Sequence, residues 1–235
     1  MSEWKPVIFS ELYSRFQSPI SKLDCGKKCA PYNENGVPFC CDTRHAVPTA
    51  YQAEWEYLQA STDLWRPWQS SDPEETRRLR QQTPAGQTLI ACQGHLLCQR
   101  GFRSLTCRAF PFFPYINPQS MFIGLSYYWE YEDRCWVISN LEAVTPAYRA
   151  EFFDAYDQLF IEMPDEKENF RHHSAVMRRI FSRRHRTIPL LHRNGKAYKI
   201  SPGSGRMRCV STAQLPKFGP YQIASMLPFP DELDG

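Results

Sequence analysis

Nine cysteines constrain this chain more than any other feature: Cys25, Cys29, Cys40, Cys41, Cys92, Cys98, Cys107, Cys135 and Cys209. Eight fall into two groups, Cys25-x3-Cys29-x10-Cys40-Cys41 and Cys92-x5-Cys98-x8-Cys107, with Cys135 further on. Thiolates are soft ligands that favour zinc and iron–sulfur centres over hard cations. Eight of them suffice for one or two four-thiolate sites. Between Met1 and Lys28 there is no continuous apolar run and no small-residue cleavage site, and no stretch approaches the roughly 18 uncharged apolar residues of a membrane span. The chain therefore reads as soluble and cytoplasmic, with no membrane partner. In that compartment thiols stay reduced and clustered cysteines bind metal in preference to forming disulfides. Cys209 lies outside both groups and reads as a bystander.

Spacing weighs zinc against iron. Structural zinc sites use paired Cys-x2–4-Cys knuckles, a spacing met only by Cys25 and Cys29. Cys92 and Cys98 are too far apart for a knuckle. Adjacent Cys40 and Cys41 suit one tetrahedral ion poorly, because neighbouring side chains tend to diverge. A [4Fe–4S] cube spreads its ligating irons over several ångströms and tolerates irregular spacing. The expected cofactor is an iron–sulfur cluster, with zinc as the alternative, and the expected ligands are Cys25, Cys29, Cys40, Cys41, Cys92, Cys98, Cys107 and Cys135. Arg108, directly after one of them, is a candidate to donate hydrogen bonds to the cluster sulfurs. His45 and His95, near the cysteines, read as exposed loop histidines.

The run Cys92-Gln-Gly-His-Leu-Leu-Cys98, followed by Phe102-Arg-Ser-Leu-Thr-Cys107-Arg108-Ala109-Phe110-Pro111, resembles the signature of the YkgJ-type cysteine-cluster family, described as a zinc- or iron-chelating domain. Cys40-Cys41 matches that family's upstream pair and Cys107-Arg108-Ala109-Phe110-Pro111 its closing motif. The likeness covers roughly residues 25 to 135. The family's Arg-Pro before the last cysteine is Arg103-Ser104 here, and the gap between the two groups is long. The same signature occurs in flagellin lysine N-methylases with an iron–sulfur cluster, so the resemblance also implies a second reading, a protein-lysine methylase-like enzyme using S-adenosylmethionine. The sequence offers that reading little, since Gly203-Ser204-Gly205 is the only closely spaced glycine pair of its kind and it follows a proline.

The surrounding pattern is mixed. Nineteen prolines against eleven glycines predict short elements and long shaped connections. Thr49, after Pro48, reads as the cap of a helix to about Ala60. Asp72-Pro73 and Thr145-Pro146 carry a cap-then-proline signature. The second pair opens a helix whose Tyr148, Phe152, Phe153, Tyr156, Leu159 and Phe160 form an apolar face. A further helix is expected over 165–184, with His172 and His173 on its surface. Thr88–Ala91 and Ser120–Tyr131 read as strands. Asn194-Gly195 reads as the type I′ turn of a hairpin over 188–199, and 216–235 as a surface tail. The expected class is α+β: an irregular cysteine-rich domain organised around a metal centre (1–165), carrying a basic helix, a C-terminal β-hairpin and a proline-rich tail packed on it (166–235).

Charge is unevenly spread. Phe170 to Arg208 holds eleven Lys and Arg and no carboxylate, leaving the rest of the chain at −8 within an overall +3. Arg178, Arg179, Arg183, Arg184 and Arg186, with Tyr198, suggest a third reading, nucleic-acid binding through 170–208, against the simpler one of a solvated helix face. A protein partner or substrate is expected but not identified by the sequence.

Overall fold

The structure is a computed structural model and describes residues 7–224. Along the chain run α1 (Val7–Arg15), α2 (Cys25–Cys29), β1 (Thr49–Tyr51), α3 (Gln52–Ser61), β2 (Trp65–Pro67), α4 (Pro73–Gln82), β3 (Gln87–Cys92), α5 (Leu105–Ala109), β4 (Phe112–Ile116) and β5 (Phe122–Tyr127). They are followed by α6 (Trp136–Ser139), α7 (Pro146–Glu162), α8 (Pro164–Arg183), β6 (Ile188–His192), β7 (Ala197–Ile200), β8 (Met207–Val210) and α9 (Tyr221–Ala224). The class is mixed α+β. Short 3-10 turns fill many of the connections, as the proline content implies.

Both cap-then-proline signals open helices. The Asp72 carboxylate accepts from the Glu74 N–H at 2.9 Å ahead of α4, and Thr145 Oγ1 accepts from the Tyr148 N–H at 3.2 Å ahead of α7. Thr49 is a correction. It begins strand β1, and α3 starts at Gln52. The Glu54 carboxylate folds back onto the Tyr51 N–H at 3.2 Å and supplies the start signal. The strand expected over 120–131 is shorter. It ends at Tyr127 and passes into a 3-10 turn, Trp129–Tyr131.

The strands form two sheets, three-stranded β1-β3-β2 and five-stranded β4-β5-β6-β7-β8. Every strand pair is antiparallel. The described residues thus contain no βαβ unit of the dinucleotide-binding kind, and Gly203-Ser204-Gly205 joins the antiparallel β7 and β8. The larger sheet draws strands from both sides of residue 165. Between β6 and β7 the turn differs from the expected type I′. The Gly195 N–H donates to the His192 carbonyl at 3.1 Å. Gly195 has φ +87°, and Asn194 is not among the residues with positive φ. A type I turn followed by a left-handed glycine is the three-residue hairpin loop. At Gly124 of β5 a Cβ would lie 2.7 Å from the Leu190 side chain and the Leu191 carbonyl, so that close approach to β6 requires glycine.

The core centres on α7. Tyr148, Phe152, Phe153, Tyr156, Leu159 and Phe160 are all buried. Phe152 meets Phe16 edge-on at 6.0 Å, and Phe153 lies 5.2 Å from Phe122 of β5. His173 is a second correction. Its ring lies inside α8's packing face, stacked on Trp129 at 5.0 Å and edge-on to Phe113 at 4.4 Å. Its Nε2 is buried without a hydrogen-bond partner, and burial pushes its pKa down to about 4. Within the expected surface tail, Tyr221 turns inward: it is buried and its hydroxyl donates to the Arg134 carbonyl at 2.8 Å. Residues 225–235 of that tail lie outside the described residues.

Candidate metal centre

Six short segments deliver the eight cysteines. Cys25 and Cys29 open and close the five-residue α2, whose first turn is held by Asp24 Oδ1 accepting from the Gly26 and Lys27 N–H groups at 3.0 and 3.3 Å. Pro38 leads into a 3-10 turn, Phe39–Cys41, closed by the Cys41 N–H on the Pro38 carbonyl at 2.8 Å. The turn overrides the expected divergence of the adjacent pair: the Cys40 and Cys41 sulfurs stand 3.9 Å apart. Cys92 ends β3, and the chain turns at once through Gly94, whose φ of +103° favours glycine. Cys98 follows the 3-10 turn His95–Leu97. Cys107 lies in α5, capped by Ser104, whose hydroxyl accepts from the Cys107 N–H at 3.3 Å. Cys135 precedes α6.

These thiols influence one another electrostatically. Cys41 acts on Cys25, Cys29, Cys92 and Cys107, while Cys92 feels Cys98, and Cys107 feels Cys92. Cys135 feels Cys25 and Cys29, and Cys40 feels Cys135 and Cys25. The eight thiols thus form one electrostatically linked neighbourhood, with Cys41 in contact with Cys40 and felt by Cys25, Cys29, Cys92 and Cys107. Cys209 is exposed on β8, away from them, as its bystander reading expects.

Burial raises most of the thiol pKa values, Cys29 to about 11 and Cys107 to about 12, and Cys135 further still. Cys41 moves the other way, because the neighbouring Cys40 thiol hydrogen-bonds to it and Arg103 lies near. Backbone N–H groups favour the thiolate form at several sulfurs: Gly94 at Cys92, and Ile138 and Val137 at Cys135. Such N–H···S contacts are among the devices by which proteins tune iron–sulfur centres.

The arginine at the sulfurs is Arg103. Its Nε donates to Cys98 Sγ at 3.0 Å, and its charge also reaches Cys107 and Cys41. Arg108, expected to donate to sulfur, is spent elsewhere. Its guanidinium donates to the backbone carbonyls of Arg103 at 2.8 Å, Gly101 at 2.7 Å, Tyr13 at 3.4 Å and Phe16, and lies 4.1 Å over the Tyr13 ring. It ties the loop before α5 to α1. Arg103 sits four residues before Cys107 in the closing motif, and that placement was the available signal. Also unforeseen is Glu54, fully buried. It accepts from the Tyr13 hydroxyl and the Leu105 N–H, so it anchors the first turn of α5, and burial lifts its pKa to about 7. His45 packs edge-on to Phe39 at 5.0 Å, and its carbonyl accepts from the Tyr131 hydroxyl at 2.7 Å. His95 is half-buried.

Among the described residues no three His, Cys, Asp or Glu side chains stand where they could hold one metal ion. A tetrahedral zinc thiolate with Zn–S near 2.3 Å sets its sulfurs about 3.8 Å apart. Cys40 and Cys41 reach that spacing, and no third ligand joins them. The donor set itself, soft thiols met by N–H donors and an arginine, is of the chemical type that binds zinc or iron–sulfur groups. No family model, no curated protein and no solved structure matches the chain. The likeness to the YkgJ-type family therefore rests on the cysteine motifs alone.

Proposed function

We propose that the chain is a metal-binding protein whose clustered cysteines hold an iron–sulfur cluster of the [4Fe–4S] type, in a redox or a structural role. The observation that supports this reading is that Arg103 donates to Cys98 and its charge also reaches Cys41, Cys107 and Cys25, thiols drawn from four separate segments. Eight clustered thiols, Cys29 buried and the other seven half-buried, would otherwise be a poor use of this part of the fold: desolvation and mutual repulsion favour the protonated form of most of them. A cationic centre offsets that repulsion and deprotonates its ligands. In this reading the ligands of the cluster come from Cys25, Cys29, Cys40, Cys41, Cys92, Cys98, Cys107 and Cys135. The cluster supplies electron storage when bound. The protein contributes burial, backbone N–H donors and the Arg103 guanidinium, each of which sets the potential.

The test is anaerobic purification followed by an absorption spectrum and iron, sulfide and zinc analysis of one sample. Broad absorbance near ~400 nm with matched iron and sulfide is expected. Cys107→Ser should remove or weaken the chromophore, and a full-strength spectrum in that variant would count against the reading. A colourless protein with stoichiometric zinc would reject the cluster and make the site structural.

A further inference from the structure

The arginine-rich end of α8 borders a cleft that contains none of the eight cysteines. Its volume is about 770 Å³, within the range of pockets for small molecules. Arg178, Arg179 and Arg183 of α8 form one wall, with the β4–β5 turn (Asn117, Gln119) and the β7–β8 loop (Ser204) opposite. No carboxylate lines it. Arg178 is fixed by donating to the Ile116 carbonyl at 2.9 Å. Arg179 and Arg183 make no ion pair or hydrogen bond among the described residues, whereas Arg171, Arg186 and Arg193 of the same basic segment are paired to Glu168, Glu132 and Asp157. Within the basic segment, Arg171, Arg186 and Arg193 are thus neutralised by the protein's own carboxylates, whereas Arg178, Arg179 and Arg183 line one concavity. The floor is partly apolar, from Ile123, Ile200 and Met207, and Gly203 and Gly205 leave open space at the mouth.

From this arrangement we infer that the cleft is a binding site for a small phosphate-bearing molecule of nucleotide size. Guanidinium groups recognise phosphate oxygens through several directed N–H bonds. Amide and hydroxyl groups across the cleft supply further partners, and the apolar floor accommodates the uncharged body of such a ligand. A nucleic-acid strand fits the observations less well. Arg178, Arg179 and Arg183 line one concavity among neutral side chains, and the whole chain carries only +3.

The test uses the full-length protein with ATP and with inorganic pyrophosphate as probes, in calorimetric titrations at moderate salt. Saturable one-to-one ATP binding is expected, competed by pyrophosphate. Arg179→Glu/Arg183→Glu should weaken it by about a hundredfold or more, since each lost charge-assisted bond is worth tenfold or better. Both positions are exposed, so the variant's circular dichroism and melting temperature should match the parent's. Ser204→Glu, on the opposite wall, should weaken binding without touching α8. Absence of saturable binding of either probe at millimolar concentration would overturn the inference. So would ATP affinity unchanged in both variants, or a single-stranded RNA oligonucleotide binding at this face without competition from pyrophosphate.

Discussion

The two halves of the molecule solve the same problem with different materials. Around β4 to β8, α7 and α8, large rings close the core: Phe112, Phe113, Phe152 and Phe181 are each no more than 1% exposed, on elements up to twenty residues long. Around the cysteines the elements are short. β1 and β2 have three residues each, α2 and α5 five, and thiols occupy places where larger apolar side chains would otherwise pack. Segments this short are not stable alone. They are held by single directed contacts reaching in from elsewhere: Glu54 on α5, Arg108 on four carbonyls, the Tyr131 hydroxyl on His45 and the Tyr221 hydroxyl on Arg134. Both regions share one continuous core, but the cysteine region adds these directed contacts between short segments, so the two should fail differently.

On the proposal that the thiols hold a cluster, the largest effect should come from removing it, and the spectral and redox outcomes below rest on the same proposal. Metal binding contributes about 10 kcal/mol or more to small thiolate-organised folds. Chelation under reducing conditions should abolish amide-exchange protection in β1–β3 and α2 while the five-stranded sheet keeps its own. Uniform loss, or none, would erase the contrast. Phe152→Ala should cost about 3–5 kcal/mol in denaturant unfolding and leave the metal spectrum of the folded protein unchanged. A bleached spectrum at full folding would mean that the two regions are one unit.

His173 gives the aromatic half a pH signature. Its pKa falls from 6.5 to about 4 on folding, so the unfolded chain binds the extra proton between those values. Stability attributable to this group is full above pH 6.5 and declines as pH falls toward 4, by about 3 kcal/mol in all. His173→Phe should flatten that part of the stability–pH curve; an unchanged slope would assign it to other groups. The smallest effects separate the two arginines. Arg108→Lys should cost about 1–3 kcal/mol through stranded carbonyls with no change in cluster absorption. Arg103→Lys should cost about 1 kcal/mol and shift the reduction potential. Exchange of those two outcomes would invert the roles drawn from the hydrogen bonds.

Legibility followed the range of the interaction. Asp72-Pro73, Thr145-Pro146 and the α7 stripe act within a turn or two of one helix, and all three read correctly from the chain. Asn194-Gly195 marked the right turn and the wrong type, because dipeptide preference does not count the loop residues that strand pairing leaves over. His173 looked like a surface residue, since nothing local says that Trp129 and Phe113 will close over it. Arg103 and Arg108 stand five apart beside the same cysteine, and the chain does not say which one turns to sulfur.

By itself the sequence determined the list of thiols, the mixed α+β class and the starts of α4 and α7, because composition, capping and periodicity are properties of neighbouring residues. Only the tertiary structure decided that Cys25 and Cys135 share one neighbourhood, that Arg103 and not Arg108 serves the sulfurs, and that unpaired arginines of α8 face a cleft. Those outcomes depend on which distant segments pack together and on which carbonyls and carboxylates claim each charge first, and no local pattern encodes either.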